Sequence, residues 1–336
     1  MSELQPATDS LEYYGSANPR YSDGISYEIS LVVTSYTQKR FADLSDLLRT
    51  IENQSIPIEL ILVIEKDELL KDYLLDALKE RSIRWLMIFS PVRLGISHAR
   101  NIGIRHSTSS LIGFADDDAM LSSDWVRQVV LSFRKYPLAI GVTGAVLPLW
   151  IDGHPRWFPQ SLYWIIGCTD WRNVYFEELG LTLAGVNMIF RREAFDSAQF
   201  IDKFTDGAQE EGKLGLPNED NDFAMRITAI TRKKIVYTPA VRVWHKVRSF
   251  KLTNQYIKRY SFWQGVAEAR YDRMYSMKSR RKSRQRILLG IARDIFYLGH
   301  DGRKRLMALV LSIIFGSLGY FSYEHKLLLN IGNRLL

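Results

Sequence analysis

Cysteine is almost absent from this chain, since Cys168 is the only one among 336 residues. A single thiol excludes an intrachain disulfide and any cysteine-rich metal site, and this scarcity fits a reducing compartment. Residues 1–24 are polar and lack the basic flank and apolar run of a secretory signal peptide. These two absences make the cytoplasm the expected compartment.

The composition also lacks the marks of a disordered chain. Hydrophobic residues make up 46% of the sequence, aromatic residues 12% and charged residues 24%, a balance typical of globular proteins. Because single cores stop growing at roughly 250–300 residues, the length allows one large α/β domain with an appendage, or two modest domains.

Apolar runs and helical patterns alternate through the first half of the chain. Short runs rich in β-branched residues predict strands over residues 29–36, 58–64, 83–89, 111–115 and 139–147. The segments between them favour helices over residues 41–54, 73–81, 97–106 and 125–136. This alternation predicts right-handed βαβ units and a mostly parallel, Rossmann-like α/β sheet flanked by helices. Residues 1–26 show no such period, and we expect a flexible N-terminal arm there.

Tryptophans recur every seven residues in the stretch from residue 148 to residue 181. Glycine and proline interrupt this stretch, which excludes one continuous helix with a heptad core. We therefore expect an aromatic-rich binding loop that carries Trp150, Trp157, Trp164 and Trp171.

Positive charge is concentrated in the last third of the chain. The net charge is +8, and basic residues are dense from residue 246 to residue 305. This asymmetry favours an anionic partner, either nucleic acid or anionic lipid, although the solvated face of a helix would look the same. Residues 306–321, after three basic residues, are almost wholly apolar. The run is shorter than the roughly 20 residues that span a bilayer, so we expect an interfacial or re-entrant helix, or else a core helix.

Three consecutive carboxylates, Asp116, Asp117 and Asp118, follow the apolar run over residues 111–115. Like charges crowded together need compensation, and a hard cation supplies it by taking oxygen ligands from aspartate and from phosphate. A helix N-cap near Asp124 is the alternative, but capping needs one acid rather than three. The triplet therefore predicts a site for Mg²⁺ or Mn²⁺.

Further motifs accompany the triplet. They are the strand over residues 29–36, Gln54 after the first helix, Glu65 after the second strand, RLGISHARNIG over residues 93–103, GVNMIFRR over residues 185–192 and EDNDFAMR over residues 219–226. In order and spacing these motifs resemble the family 2 glycosyltransferases with the GT-A fold. The resemblance implies a catalytic domain over residues 27–250. The basic and apolar patterns beyond it predict a helical C-terminal region over residues 251–336, which we expect at a membrane.

The resemblance implies a donor site for a nucleotide sugar, most commonly a UDP-sugar. Thr34, Ser35 and Tyr36 would line the pocket of the base, and Glu65 would stand where the family usually has an aspartate that contacts the nucleoside. Arg100 would approach the diphosphate or the sugar, and beside the diphosphate its charge would offset that of the leaving group. A surface ion pair is the alternative for Arg100.

The resemblance also ranks the acids of the triplet. Asp118 would be the main metal ligand, Asp116 would contact the ribose or the metal, and Asp117 would be the least involved part of the donor site. His245 resembles the histidine that some GT-A enzymes add to the metal site, although a lone histidine at a strand end is more often structural.

A second group of acids belongs to the acceptor half. Glu219 and Asp220 follow a turn-forming stretch and precede a helical run, and by the resemblance Asp220 is the general base that deprotonates the acceptor hydroxyl. Glu219 and Asp222 would support it, and Asn187 would contact a hydroxyl of the sugar or the acceptor. Plain capping of the helix by Asp222 is the alternative.

Together these observations predict an inverting glycosyltransferase that acts on a saccharide hydroxyl, lipid-linked in view of the C-terminal region, in cell-surface glycan synthesis. A nucleotidyltransferase would also use paired aspartates and Mg²⁺, but it would normally show a glycine-rich loop with a basic residue after its first strand, where this chain has TSYTQ over residues 34–38. A nucleic-acid-binding module would leave the acidic motifs unexplained. We expect the protein at the cytoplasmic face of the cell membrane, in peripheral contact with anionic lipid and without a nucleic acid partner.

Overall fold

A single ten-stranded sheet organises the computed structural model, which describes residues 11–15, 27–169, 178–179, 183–200, 219–274, 289–295 and 301–324. The order across the sheet is β1-β4-β3-β2-β5-β9-β7-β10-β6, with β8 beside β10. The strands are β1 (Glu12–Gly15), β2 (Ile29–Ser35), β3 (Ile58–Glu65), β4 (Arg84–Ser90), β5 (Leu111–Asp116), β6 (Ala119–Leu121), β7 (Gly141–Trp150), β8 (Glu178–Leu179), β9 (Met188–Arg191) and β10 (Ile235–Val247).

Helices cover both faces of this sheet. Because side chains alternate along a strand, Leu31 and Val33 of β2 join one core while Val32 joins the other. The main helices are α1 (Phe41–Glu52), α2 (Glu68–Lys79), α3 (Ile96–His106), α4 (Trp125–Lys135), α5 (Glu193–Ser197), α6 (Glu219–Thr231), α7 (Asn254–Met274) and α8 (Gly302–Glu324). Strands β4, β3, β2 and β5 are parallel, and β9 runs antiparallel between β5 and β7. The predicted α/β sheet flanked by helices is confirmed.

Two local departures from the predicted elements have clear causes. Helix α2 begins five residues before the predicted start because the Asp67 side chain accepts a hydrogen bond from the backbone N–H of Leu70 and caps the helix there. The expectation of an arm without regular structure is wrong for Glu12–Gly15, which pairs antiparallel with β4 and extends the sheet. The rest of residues 1–26 lies outside the described residues.

Helix α3 is pressed unusually close to β2. Gly103 lies inside α3, and a Cβ at this position would lie 2.3 Å from Cγ1 of Val32. The absent side chain therefore lets the helix pack directly on the strand. This packing fixes the position of Arg100, one helical turn earlier on α3.

The C-terminal helices α7 and α8 form a tight pair. A Cβ on Gly265 would lie 1.9 Å from the carbonyl oxygen of Gly316, and a Cβ on Gly319 would lie 1.9 Å from that of Phe262. Helix α8 is 23 residues long and, by length and composition alone, could cross a membrane. The sequence estimate was too short because the helix extends beyond the apolar run at both ends. Its exposed apolar side chains are Leu306, Met307, Val310, Ile313, Ile314, Leu318 and Phe321.

The predicted aromatic loop is partly regular. Strand β7 continues to Trp150, and residues Gln160–Ile166 form a 3-10 helix that carries Trp164. Trp171 lies outside the described residues, as does most of the basic run between α7 and α8.

Candidate active site

The predicted donor residues lie where the parallel strands end. Strands β2, β3 and β5 are neighbours, and Thr34 pairs in register with Asp116. Their carboxyl ends therefore meet at one edge of the sheet, the edge at which open α/β sheets bind ligands. Ser35, at the end of β2, donates a 2.6 Å hydrogen bond from Oγ to Oδ2 of Asp117. This hydrogen bond thus joins β2 directly to the aspartate triplet.

The three aspartates have different surroundings because the chain turns just after β5. The side chain of Asp116 is 39% exposed, while those of Asp117 and Asp118 are 12% and 4% exposed. Asp117 faces Arg40, whose Nε lies 3.7 Å from Oδ1. Asp118 accepts a 2.8 Å hydrogen bond from Nη1 of Arg40 on Oδ2, and its Oδ1 lies 3.1 Å from Nε2 of His245.

Burial has different outcomes at the two enclosed acids because their neighbours differ. Burial raises the pKa of Asp117 to about 7, with the charge of Arg40 opposing it only in part. Burial also disfavours the charged form of Asp118, but His245, Lys251 and Arg40 outweigh it and hold the pKa of Asp118 well below its usual range. Asp118 is therefore ionised at neutral pH, as a metal ligand must be.

Asp116, Asp118 and His245 form a group that could hold a metal ion, since one ligand atom from each lies within 4.8 Å of the others. Strand β10 pairs with β6, which places His245 opposite the residue that follows the triplet. Gly167 allows this approach, because its φ of 77° is left-handed and a Cβ there would lie 2.9 Å from the His245 ring. Carboxylate oxygens and an imidazole nitrogen suit Mn²⁺ or Mg²⁺. The three predicted metal ligands come together, and Asp117 does not join them.

Arg100 links this group to the second pair of acids. Its guanidinium donates a 2.8 Å hydrogen bond to Oε1 of Glu219 and lies 3.4 Å from Oδ1 of Asp116. The rings of Phe114 and Phe200 lie 5.9 Å and 5.5 Å from the same guanidinium. Arg100 does form ion pairs, but it is buried at the site, so the alternative of a surface ion pair is wrong.

Asp220 lies beside Glu219 at the beginning of α6 and is almost buried. Its Oδ1 accepts hydrogen bonds from the backbone N–H (2.7 Å) and Nδ2 (3.0 Å) of Asn221. A Cβ on Gly185 would lie only 3.2 Å from its Oδ2. Burial and the adjacent charge of Glu219 raise the pKa of Asp220 to about 7, against the charge of Arg100. A carboxyl group that titrates near neutrality is suited to accept a proton from a hydroxyl.

Two residues predicted for the acceptor half, Asn187 and Asp222, make hydrogen bonds within the scaffold. Asn187 is fully buried, and its amide accepts a 3.0 Å hydrogen bond from Nε1 of Trp125 and donates one of 3.0 Å to the carbonyl of Val241. Asp222 is also fully buried and accepts a 2.8 Å hydrogen bond from Nε of Arg226, one turn along α6. The polar atoms of both residues are engaged inside the protein, so a contact of Asn187 with a hydroxyl and a supporting role of Asp222 beside Asp220 stay predictions.

Tyr36 and Glu65 flank the region predicted for the nucleoside. The ring of Tyr36 is partly exposed, and the guanidinium of Arg93 lies 3.3 Å from its centroid. The carboxylate of Glu65 is buried and accepts hydrogen bonds from the backbone N–H of Leu94 (2.5 Å) and Gly95 (2.9 Å). Burial raises the pKa of Glu65 in spite of these bonds. Glu65 thus holds the loop that leads into α3, and its contact with a nucleoside stays a prediction.

The model of glycosyl transferase family 2 matches residues 30–198, just over half of the chain. The chain belongs to glycosyltransferase family 2. The matched residues run from β2 to α5, so they contain Arg100 and the triplet, whereas Asp220 and His245 lie beyond them. The predicted enzyme class is therefore confirmed, and the roles of Asp220 and His245 stay predictions.

Two relatives resemble this family 2 glycosyltransferase over most of its length. This chain is 28% identical over 255 residues to a glucosyl-dolichyl phosphate glucuronosyltransferase from Haloferax volcanii. The matched residues cover 75% of this chain and 80% of the relative. The fold of this chain is similar to that of the mannosyltransferase PcManGT from Pyrobaculum calidifontis, solved with GDP-Man and Mn²⁺. The TM-score is 0.52 at 13% identity, over 93% of this chain and 84% of the other. This likeness confirms the GT-A fold.

Two cations of the glycosyltransferase site were not singled out from the sequence. Arg40 binds Asp118, and Nζ of Lys251 lies 3.3 Å from Nε2 of His245. Arg40 follows β2 by five residues. Because the loop after the first parallel strand of an α/β sheet is a usual ligand position, its place in the sequence could have marked it as a candidate site residue. Lys251 becomes recognisable only once His245 has been located.

Proposed function

We propose that this glycosyltransferase moves a sugar from a UDP-sugar to a hydroxyl of a lipid-linked saccharide, with inversion at the anomeric carbon. The observation that carries the proposal is the bridge made by Arg100. Its guanidinium contacts Asp116 of the metal-ligating group and Glu219, the neighbour of Asp220. The donor would bind on the side of Arg100 that carries the triplet, and the acceptor on the side that carries Asp220.

The transfer is a single displacement. The acceptor oxygen attacks the anomeric carbon on the face opposite the diphosphate, and its proton passes to the carboxylate of Asp220. The bond between the anomeric carbon and the phosphate oxygen breaks, and the nucleoside diphosphate leaves with the electron pair. Arg100 offsets the negative charge that grows on this leaving group. One such displacement inverts the anomeric centre.

Asp116, Asp118 and His245 are the residues that would hold Mn²⁺ or Mg²⁺. Two features fit such an ion: the lowered pKa of Asp118, and the buried Nδ1 of His245, which has no hydrogen-bond partner in the described part of the chain. The ion, when bound, neutralises charge on the leaving diphosphate. Arg40 donates a hydrogen bond to Asp118, and Nζ of Lys251 lies 3.3 Å from Nε2 of His245.

Two observations support an acceptor carried by a lipid at the inner face of the cell membrane, within cell-surface glycan synthesis. The relative from Haloferax volcanii is named for glucosyl-dolichyl phosphate, a sugar on a lipid phosphate. The outward side of α8 presents apolar side chains next to Arg303, Lys304 and Arg305, a combination that favours the interface of an anionic bilayer. We therefore propose peripheral contact through α8.

The test is transfer by the purified full-length protein. With Mn²⁺ or Mg²⁺, a panel of UDP- and GDP-sugars and a synthetic glucosyl phospholipid acceptor, we expect transfer from a UDP-sugar and an inverted anomer by proton NMR. Asp220→Asn should lower kcat by roughly 10²- to 10⁴-fold and leave donor affinity within about twofold, while Asp196→Asn, an exposed acid on α5, serves as the control. Retention of the anomer would contradict the single displacement, and no turnover with any donor would contradict the proposed function.

A further inference from the structure

Several cations lie on or beside the candidate metal site, and most of them are paired with carboxylates. The paired cations and their partners are Arg40 with Asp43, Asp117 and Asp118, Arg100 with Asp116 and Glu219, Lys246 with Asp43 and Asp46, and Arg248 with Asp43. Lys251 differs from these. Its Nζ lies 3.3 Å from Nε2 of His245, and the described residues give it no carboxylate partner. The positive charge of Lys251 is therefore available to an anionic ligand.

A short turn after β10 brings Lys251 back to His245. The residues Ser249–Leu252 form one 3-10 turn. The backbone N–H of Ser249 donates a 2.8 Å hydrogen bond to Oδ2 of Asp152, which fixes the start of this turn. Lys251 is partly exposed. Its backbone is thus held in place, while the ammonium group on its flexible four-carbon stem can reach a neighbouring ligand.

The Nε2 atom of His245 lies between a negative and a positive charge. It is 3.1 Å from Oδ1 of Asp118 and 3.3 Å from Nζ of Lys251. A divalent cation that takes Nε2 as a ligand must therefore lie close to the ammonium group, and the two positive charges repel each other. The proximity of Lys251 lowers the affinity of these ligands for a cation that binds alone.

A diphosphate group would turn this repulsion into attraction. Phosphate oxygens are hard ligands that bind Mg²⁺ or Mn²⁺, and they also accept short, charge-assisted hydrogen bonds from an ammonium group. The compact ammonium of lysine carries three donors and is a common phosphate-binding group. A ligand with several phosphate oxygens could therefore contact the cation and Lys251 at the same time.

We infer that Lys251 binds the diphosphate of the nucleotide-sugar donor and couples the binding of that diphosphate to the binding of the metal ion. The ammonium group repels the ion when it arrives alone and attracts the diphosphate that accompanies it, so the two bind together. This inference rests on the proposed function, in which the donor diphosphate lies at the metal-ligating group. It adds a donor residue from the turn before α7, beyond the residues that the family model matches.

The test measures binding without turnover. Calorimetry on the full-length protein would record the affinity for Mn²⁺ alone, and then the affinities for UDP and GDP at saturating Mn²⁺. Lys251→Met keeps the length of the side chain and removes its charge. We expect this variant to bind the nucleoside diphosphate roughly tenfold more weakly and Mn²⁺ alone about threefold more tightly. Lys251→Arg, which keeps the charge, should stay within about threefold of wild type in both measurements.

The opposite signs separate this role from a structural one, because damage to the site would weaken both ligands. Lys79→Met, at a lysine of α2 whose side chain is 66% exposed, is the matched control and should change neither affinity. The inference would be overturned by unchanged diphosphate affinity in Lys251→Met, by weaker binding of Mn²⁺ alone, or by wild-type protein that binds neither UDP nor GDP. Selective binding of GDP, or the absence of transfer in the activity assay, would contradict the proposed function and leave the result for Lys251 intact.

Discussion

Asp118 and Asp220 are both enclosed by protein, yet their pKa values move in opposite directions. Cationic neighbours keep Asp118 ionised, whereas burial and Glu219 raise the pKa of Asp220 to about 7. Two carboxyl groups with pKa values pushed apart can take different parts in one reaction. Asp118 is suited to bind a cation, and Asp220 is suited to exchange a proton near neutral pH.

The raised pKa of Asp220 predicts how stability depends on pH. A carboxyl group whose pKa is higher in the folded than in the unfolded state stabilises the fold below its unfolded pKa of about 4, and this contribution is lost as pH rises through about 7. We expect the free energy of unfolding, measured in urea without metal, to fall over this range. The free energy of unfolding of Asp220→Asn should fall less steeply, and the slope that remains would come from Asp117 and Glu65, whose pKa values are also raised. An identical slope in Asp220→Asn would contradict the assignment.

The same pKa predicts the pH dependence of transfer. Asp220 must be ionised to accept a proton, so kcat/KM should rise with pH up to about 7 and then level off. Steady-state rates at saturating Mn²⁺ in buffers of constant ionic strength would show this limb. A profile that is flat between pH 5 and pH 8 would mean that another group accepts the proton.

Arg40 predicts competition at the metal site. Its guanidinium binds Asp118 and lies beside Asp117, so a divalent cation must displace it or share its charge. Because a charge-assisted hydrogen bond contributes about 1.5 kcal/mol or more, Arg40→Met should tighten Mn²⁺ binding in the absence of nucleotide by about tenfold. Calorimetry would measure this, with Arg49→Met, at an exposed arginine of α1, as the control. Unchanged or weaker affinity would show that Arg40 does not compete.

Prediction from the sequence succeeded where one chemical demand dominates a residue. Three adjacent acids predict a cation site, and the resemblance added His245; Asp116, Asp118 and His245 do lie together. The sequence does not decide the use of Asn187 and Asp222, because an amide or a carboxylate can satisfy buried backbone and arginine groups as well as a ligand. Only the partners in three dimensions separate those two uses.

At the scale of elements, the helix pair α7 and α8 depends on the absence of side chains. A Cβ on Gly265 would lie 1.9 Å from the carbonyl oxygen of Gly316, so even one methyl group must push the two backbones apart. We expect Gly265→Ala to lower the free energy of unfolding by about 1–3 kcal/mol. Urea denaturation would measure the loss, and Ser317→Ala on the exposed side of α8 is the control. Equal stability of the two variants would show that the helices do not meet so closely.

The parallel strands and their helices were predictable because period and turn residues act locally. The boundaries were less so, as with Asp67, whose capping hydrogen bond adds a turn that the apolar pattern does not contain. The antiparallel position of β9 between β5 and β7 was beyond prediction, since strand order depends on contacts between distant segments. The short β1 was missed for the same reason.

For the whole molecule, α8 sets a prediction about membranes. One side of the helix packs on α7 through small residues, and the opposite side exposes Ile313, Ile314 and Phe321. The double variant Ile314→Glu, Phe321→Glu should reduce sedimentation with phosphatidylglycerol vesicles by about tenfold. Each change removes apolar area that the bilayer would bury and adds a negative charge that the anionic headgroups repel. Leu138→Glu, at the most exposed leucine of the described residues, is the control. Full sedimentation of the double variant would mean that α8 does not face the bilayer.

The close seating of α7 on α8 also links lipid to chemistry. Tyr260 and Gly265 lie on one helix, about 7.5 Å apart along its axis, and a helix carries a displacement along its length almost undiminished. A bilayer that holds α8 at a given depth would thus also set the depth of Tyr260, whose ring lies 5.9 Å from that of Trp164. Headgroup packing and bilayer thickness would then tune the KM for a lipid-borne acceptor.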